Sequence, residues 1–166
     1  RMMNKKYKDL FFVFHSTSEH VQLMQNILSK EEFKNCRAIC DEKIKSYILK
    51  SSIFAVAKSG TISLEICNSN IPSIIIYKMN IINFFIVKML VKVKFANIIN
   101  IAAEEEVIPE LLQSKCNPKN IYNTVDKLLS DEQALKHQMS KFQKIISKFK
   151  TEKTSEIASK VLLNHL

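Results

Sequence analysis

Short apolar runs alternate with stretches of helical period four times before residue 90, and that alternation is the sequence form of a doubly wound parallel sheet. Residues 10–15 (LFFVFH) predict the first strand, and Ser16 to Ser18 supply cap candidates for a helix over 19–30. A short strand over 37–40 precedes a helix over 41–52. The next strand is 53–57, followed by a helix over 60–69, and Pro72 opens a strongly apolar strand over 74–77. Residues 97–102 read as a last short strand or extended segment, leading into Glu104, Glu105 and Glu106, whose carboxylates suit a helix N-terminus. Helices are then expected over 107–113, 118–129, 131–149 and 155–166, with Pro118 and Asp131 marking starts. The class is α/β: one domain over residues 1–166, with a Rossmann-like parallel sheet built from βα units over 1–102 and a helical C-terminal tail over 103–166.

At 166 residues, 46% hydrophobic and 25% charged, the chain is long enough and apolar enough to bury a core, which excludes a disordered polypeptide. Arginine occurs only as Arg1 and Arg37, and the abundant lysine, isoleucine and asparagine fit an AT-rich genome. Part of the net charge of +9 follows from that bias, but solvated lysines still favour anionic partners: nucleotides, phosphates or acidic membrane surfaces. The chain opens on Arg1 without a signal-like segment, the expectation for a piece of a longer cytoplasmic protein. Cys36, Cys40, Cys67 and Cys116 lack CxxC spacing and disulfide-scaffold density, so reduced, mostly buried thiols are expected. His15, His20, His137 and His165 show no ligand spacing, and no metal is expected.

The only glycine lies in Ser59-Gly60-Thr61, where a strand turns into a helix, with Glu65 one turn further on. Such a junction offers free N–H groups and the positive end of a helix dipole to an anion, and it can hold a diphosphate. Glu65 then stands where an acid grips ribose hydroxyls in dinucleotide folds. The same residues also read as a plain tight turn and a solvated glutamate. Residues 71–93 are the most hydrophobic stretch, but Lys78, Asn80, Asn83 and Lys88 interrupt it, and Pro72 with Lys78-Met79-Asn80 divides it into a strand and a helix, which argues against a spanning helix. Phe84, Phe85, Val87, Leu90 and Val91 with Lys88, Lys92 and Lys94 fit either a buried core helix or one lying on an anionic bilayer. The lysines of 131–150 form a solvated face without a stacking platform, so no nucleic-acid partner is expected. The helix's apolar positions Leu135, Met139, Phe142 and Ile146 are expected to pack on the sheet.

In order, the runs AKSGTISLEI, NIPSIIIYK, FFIVKMLVKVKF, IIN and EVIPELLQ resemble the carboxyl-terminal domain of the lipid-A-disaccharide synthase family, membrane-associated glycosyltransferases of GT-B architecture. The resemblance implies the nucleotide-holding half of an enzyme that transfers diacylglucosamine from UDP to the 6-hydroxyl of diacylglucosamine 1-phosphate, releasing UDP. It places Ser59, Gly60 and Thr61 at the diphosphate, Glu65 at the ribose, and Asn100, Glu106, Gln113, Tyr77 and Lys78 near the donor. It implies no cofactor, a Gram-negative source, and a cytoplasmic protein in peripheral contact with the inner membrane through Phe84, Phe85, Lys88 and Lys92. The implied partners are UDP-diacylglucosamine, the lipid acceptor and the enzyme's amino-terminal half, which falls outside this sequence and is expected to carry the catalytic base. The sequence departs from the family pattern at four places. Asn70 stands for a glycine, Lys78 for an arginine, Ile99 for a proline, and Glu104-Glu105 for glycine and arginine. Two extra carboxylates beside a diphosphate would repel it by about 1 to 4 kcal/mol. A nonenzymatic remnant or membrane-surface module of the same fold is the alternative.

Overall fold

The computed structural model describes residues 1–31, 33–80, 84, 94–149 and 154–163. Short helix α1 (Met2–Lys6) leads into β1 (Phe12–His15), α2 (Ser18–Lys30), β2 (Cys36–Ile39), α3 (Glu42–Ser51), β3 (Ala55–Lys58), α4 (Ile62–Asn68) and β4 (Ser73–Tyr77). Then come α5 (Ile98–Ala103), β5 (Glu110–Leu112), a 3-10 turn (Gln113–Lys115), α6 (Pro118–Leu129), α7 (Glu132–Phe149) and α8 (Thr154–Leu163). The architecture is α/β and Rossmann-like, with every strand pair parallel: β1 with β2 in one sheet, and β3-β4-β5 in another.

Local chemistry explains most boundaries. Asp41 Oδ1 accepts from Lys43 N–H at 2.8 Å, Asn117 Oδ1 from Asn120 N–H at 3.0 Å ahead of Pro118, and Asp131 Oδ1 from Ala134 N–H at 2.9 Å. Thr17 stands at the N-cap of α2, but its hydroxyl bonds His20 Nδ1 at 2.9 Å and caps no backbone group.

Two expected elements exchange type. Residues 98–103 form a helix and not a strand, because Asn97 caps it by accepting from Ile99 N–H at 2.9 Å. Residues 107–113 hold the strand β5 and not a helix: Pro109 cannot sit inside a helix, and its carbonyl accepts Ile75 N–H at 2.9 Å, which opens the β4–β5 ladder. Glu104 to Glu106 therefore follow a helix C-terminus. Glu104 adopts φ 58°, ψ 16°, the left-handed cap where glycine is at ease. At the same end Lys148 Nζ donates to Ala102 O at 3.0 Å.

The core gathers Ile66, Cys67, Ile71, Ile75, Ile99, Ile108 and Phe142. Helix α7 brings Phe142 and Ile146 into this core beside Ala57 of β3 and Ile75 of β4, as the sequence pattern expects, and it also packs against α4, α5 and α6. Leu135 and Met139 are half-buried, and Gln138 is buried in their stead. Its amide replaces a strand, accepting from Ser73 N–H at 2.8 Å while donating to the carbonyls of Ser73 and Val107, each at 3.0 Å. All four cysteines are free, but only Cys67 is buried; Cys36 and Cys116 are half-buried and Cys40 is exposed. Burial pushes the Cys67 thiol up to about 12, so it stays protonated at neutral pH.

Candidate functional site

Parallel strands gather their following loops on one edge, and the carboxyl ends of β3, β4 and β5 bring Ser59, Gly60, Tyr77, Lys78 and Gln113 there. Gly60 is exposed at φ +158°, and a Cβ built on it would meet no atom of the described residues within 4 Å, so among these residues nothing fills the corner. Behind it the corner is braced: Ser63 Oγ donates to Gly60 O at 2.6 Å and Ser59 Oγ to Ala96 O at 2.8 Å. Exposed Thr61 occupies the N-cap of α4 without a side-chain cap bond. Lys58 Nζ lies 5.5 Å from the Tyr77 ring centroid, a cation–π contact that sets a positive charge beside the corner. Exposed Lys78 adds another on the next strand end.

Glu65 lies in the first half of α4 and turns toward α3, where Lys45 Nζ stands 2.9 Å from its carboxylate. The bond to Glu65 holds the Lys45 ammonium above its usual range, with a smaller contribution from Glu42. A groove of about 360 Å³ between α3 and α4 is lined by Glu42, Lys45, Ser46 and Glu65 among others. A second cavity, about 750 Å³, lies between α2 and β2 beside Gln22, Gln25, Phe33 and Arg37, and holds none of the residues chosen from sequence.

Asn100 is fully buried and its amide is spent within the protein. Its Nδ2 donates to Ile108 O at 2.7 Å and Glu110 Oε1 at 2.8 Å, while Oδ1 accepts from Val107 and Ile108 N–H, each at 2.9 Å. It touches no open surface and clamps α5 to the segment around β5. Gln113 likewise brackets backbone, accepting from Met79 N–H at 2.8 Å and donating to Met79 O at 3.3 Å. Glu106 Oε1 accepts from Glu110 N–H at 3.3 Å. Since Val107 O shares Gln138 with Ser73, the first residue of β4, Glu106 sits toward the sheet's amino end, across from Gly60. Glu105 pairs with Lys141 Nζ at 2.6 Å, a bond that holds its carboxyl below the usual range. Of the two carboxylates expected to repel a diphosphate, Glu105 is thus paired with Lys141, and Glu104 caps the carboxyl end of α5.

The sequence reading missed Lys58, Lys45 and Glu110. The carboxylate of Glu110 accepts from Ala96 N–H at 2.8 Å, Asn97 N–H at 3.0 Å and Asn100 Nδ2 at 2.8 Å, tying β5 to the start of α5. Its position inside PELLQ and the position of Lys58 directly before the glycine turn were the available signals. Half-buried Phe84 donates its N–H to Asn80 O at 3.0 Å, whereas Phe85, Lys88 and Lys92 lie outside the described residues. Among the described residues no cluster of three His, Cys, Asp or Glu side chains could hold a metal, and no helix is long and apolar enough to cross a membrane.

Fold and edge together define a Rossmann-like α/β protein with an uncovered strand–glycine–helix corner. The family profile described as lipid-A-disaccharide synthetase matches residues 1–162, and the chain belongs to that family. It is 37% identical over 164 residues to the lipid-A-disaccharide synthases of Rickettsia prowazekii (strain Madrid E) and Rickettsia typhi (strain ATCC VR-144 / Wilmington), covering 96% of this chain and 42% of each relative. The synthase of Sulfurihydrogenibium sp. (strain YO3AOP1) is 34% identical over 149 residues, covering 83% of this chain and 38% of the relative. The chain thus spans about 40% of the length of the curated relatives it matches.

Proposed function

We propose that residues 1–166 are the nucleotide-sugar-holding domain of a lipid-A-disaccharide synthase, a hexosyltransferase of GT-B architecture that works joined to an amino-terminal acceptor domain. The full enzyme passes 2,3-diacylglucosamine from UDP to 2,3-diacylglucosamine 1-phosphate, yielding the lipid A disaccharide and UDP. The observation that carries this reading is the uncovered Gly60 corner in a chain of this family. The donor's diphosphate lies against Ser59, Gly60 and Thr61, with Lys58 and Lys78 supplying charge that stabilises UDP as it leaves. Glu65 exchanges Lys45 for the ribose hydroxyls, and Tyr77 walls the edge. Asn100, Glu106 and Gln113 support the site from behind through the bonds described above. The catalytic base comes from the amino-terminal domain. The protein works in the cytoplasm, peripheral on the inner membrane, which Phe84, Phe85, Lys88 and Lys92 meet.

Titration calorimetry with UDP tests this reading. Saturable binding is expected, weakened about 10- to 100-fold in Glu65→Ala, the loss for hydrogen bonds to a charged group. Absence of binding at millimolar UDP would favour the second reading, a nonenzymatic remnant or membrane-surface module of the same fold. The pairing of Glu65 with Lys45 is the observation on that side.

A further inference from the structure

Glu65, the acid assigned above to the ribose, is already occupied. Lys45 Nζ stands 2.9 Å from its Oε2 and 3.1 Å from its Oε1, so one ammonium lies across both oxygens. A ribose that donates its 2′- and 3′-hydroxyls to the two oxygens needs the edge that Lys45 fills.

The fold puts the lysine there. Asp41 caps α3, Leu49 of that helix packs against the core, and Lys45, one turn before Leu49, shares its inward face, whereas Lys43 and Lys50 are exposed. The Lys45 side chain is only 21% exposed, so it does not give up a carboxylate to water without cost. A second carboxylate is at hand. Glu42 Oε2, three residues back on the same helix, lies 3.3 Å from Nζ, and the Glu42 side chain is 72% exposed. Its Oε1 faces His15 Nε2 at 3.7 Å, beyond hydrogen-bond reach, so among the described residues Lys45 is the only group that Glu42 bonds. Nζ thus sits between two acids of unequal hold, with two contacts to Glu65 and one longer contact to Glu42.

We propose that Lys45 is a positioning residue for nucleotide binding: it holds Glu65 in the free protein and passes to Glu42 when ribose hydroxyls claim Glu65. The inference rests on the reading of Glu65 as the ribose acid and adds what sets its strength. Only a ligand with ribose hydroxyls has to break the Lys45–Glu65 pair; one without them leaves it intact. Lys45 therefore lowers the site's preference for ribose, and with it the hold on UDP, which under that reading is the product that must leave after each transfer. Glu42 works the other way, because it offsets the loss of the pair without touching the nucleotide.

Titration calorimetry of this chain with UDP and with 2′,3′-dideoxy-UDP tests it. The ratio of the dideoxy dissociation constant to that of UDP measures the ribose preference, and the attraction of any lysine for the diphosphate cancels in it. Lys45→Met is expected to raise that ratio about 2- to 5-fold, the worth of a half-exposed ion pair, and Lys45→Arg, which keeps the charge, to leave it at or below the wild-type value. Glu42→Gln should lower the ratio in the wild-type background and leave it unchanged in the Lys45→Met background. A ratio that is unchanged or lowered by Lys45→Met overturns the inference and leaves Glu65 as the ribose acid. An effect of Glu42→Gln that is absent, or that persists in the Lys45→Met background, overturns the passage of Lys45 to Glu42. Equal binding of the two nucleotides in wild type and Lys45→Met alike, or binding of neither, overturns the reading of Glu65 itself and the inference with it.

Discussion

From β3 onward the molecule builds a buried apolar core, whereas the β1–β2 half leaves Phe11, Val13 and Phe14 exposed. Every member of the core cluster lies at or beyond Ala57, while α2 and α3 contain no buried residue and Ala38 is the one buried hydrophobic before Ala57 among the described residues. Both halves are equally apolar in their strands. The difference is one of partners: α4, α5 and α7 supply side chains to the core around β3 and β4, whereas among the described residues β1 and β2 pair only with each other. Composition sets what a strand could bury, and topology decides what it does bury.

The comparison breaks most readily on a pair of phenylalanines. Phe142→Ala is expected to cost about 3–5 kcal/mol in denaturant unfolding, because it empties a fully buried site, while Phe14→Ala in the isolated chain should cost less than about 1 kcal/mol. Equal losses would show that the first half is packed after all. Next comes Gln138→Ala, which strands the Ser73 N–H and two carbonyls and should lower stability by about 2–3 kcal/mol. No loss would mean that water replaces the amide and that the core around it is less tightly closed. Smaller and opposite in sign, Glu104→Gly is expected to raise stability by about 0.5–1 kcal/mol, since its φ of 58° suits glycine. An unchanged midpoint would place that residue's strain below detection.

The smallest effect is electrostatic. The Glu105 carboxyl is depressed in the folded state by Lys141, so its contribution is present above the unfolded value of about 4.5 and is lost as pH falls through the lower folded value. Lys141→Met should remove that acid sensitivity and leave stability near pH 7 almost unaltered. An acid transition identical in both proteins would assign it elsewhere, with the depressed Asp126 beside Lys6 and Tyr7 the next group to examine.

The strands β1 to β4 were legible because each is a compact apolar run bounded by polar residues. α5 and β5 were misread for a shared reason. IINIAA is rich in β-branched residues that imitate a strand, and ELL consists of helix formers; the open edge of β4 overrode local preference at Glu110 and Leu112. At the candidate site the strand–glycine–helix junction at Gly60 was visible, although in sequence a plain tight turn reads the same way. The work of Asn100 and Gln113 was not, because sequence gives an amide's identity without the backbone it embraces. Nor could the text of the chain show that Lys45, twenty residues before Glu65, would face it. The left-handed geometry of Asn70 at φ 54° and of Glu104 puts two of the family's glycine positions where a glycine is sterically favoured.

Ser59 leans on Ala96, whose N–H is in turn held by Glu110, so the posture of the glycine turn is inherited from a residue some fifty positions downstream. A truncation ending before Glu110 would preserve the Ser59-Gly60-Thr61 turn in print and yet deprive it of its buttress. Searches for shortened, still functional versions of this domain should therefore treat the PELLQ segment as part of the motif.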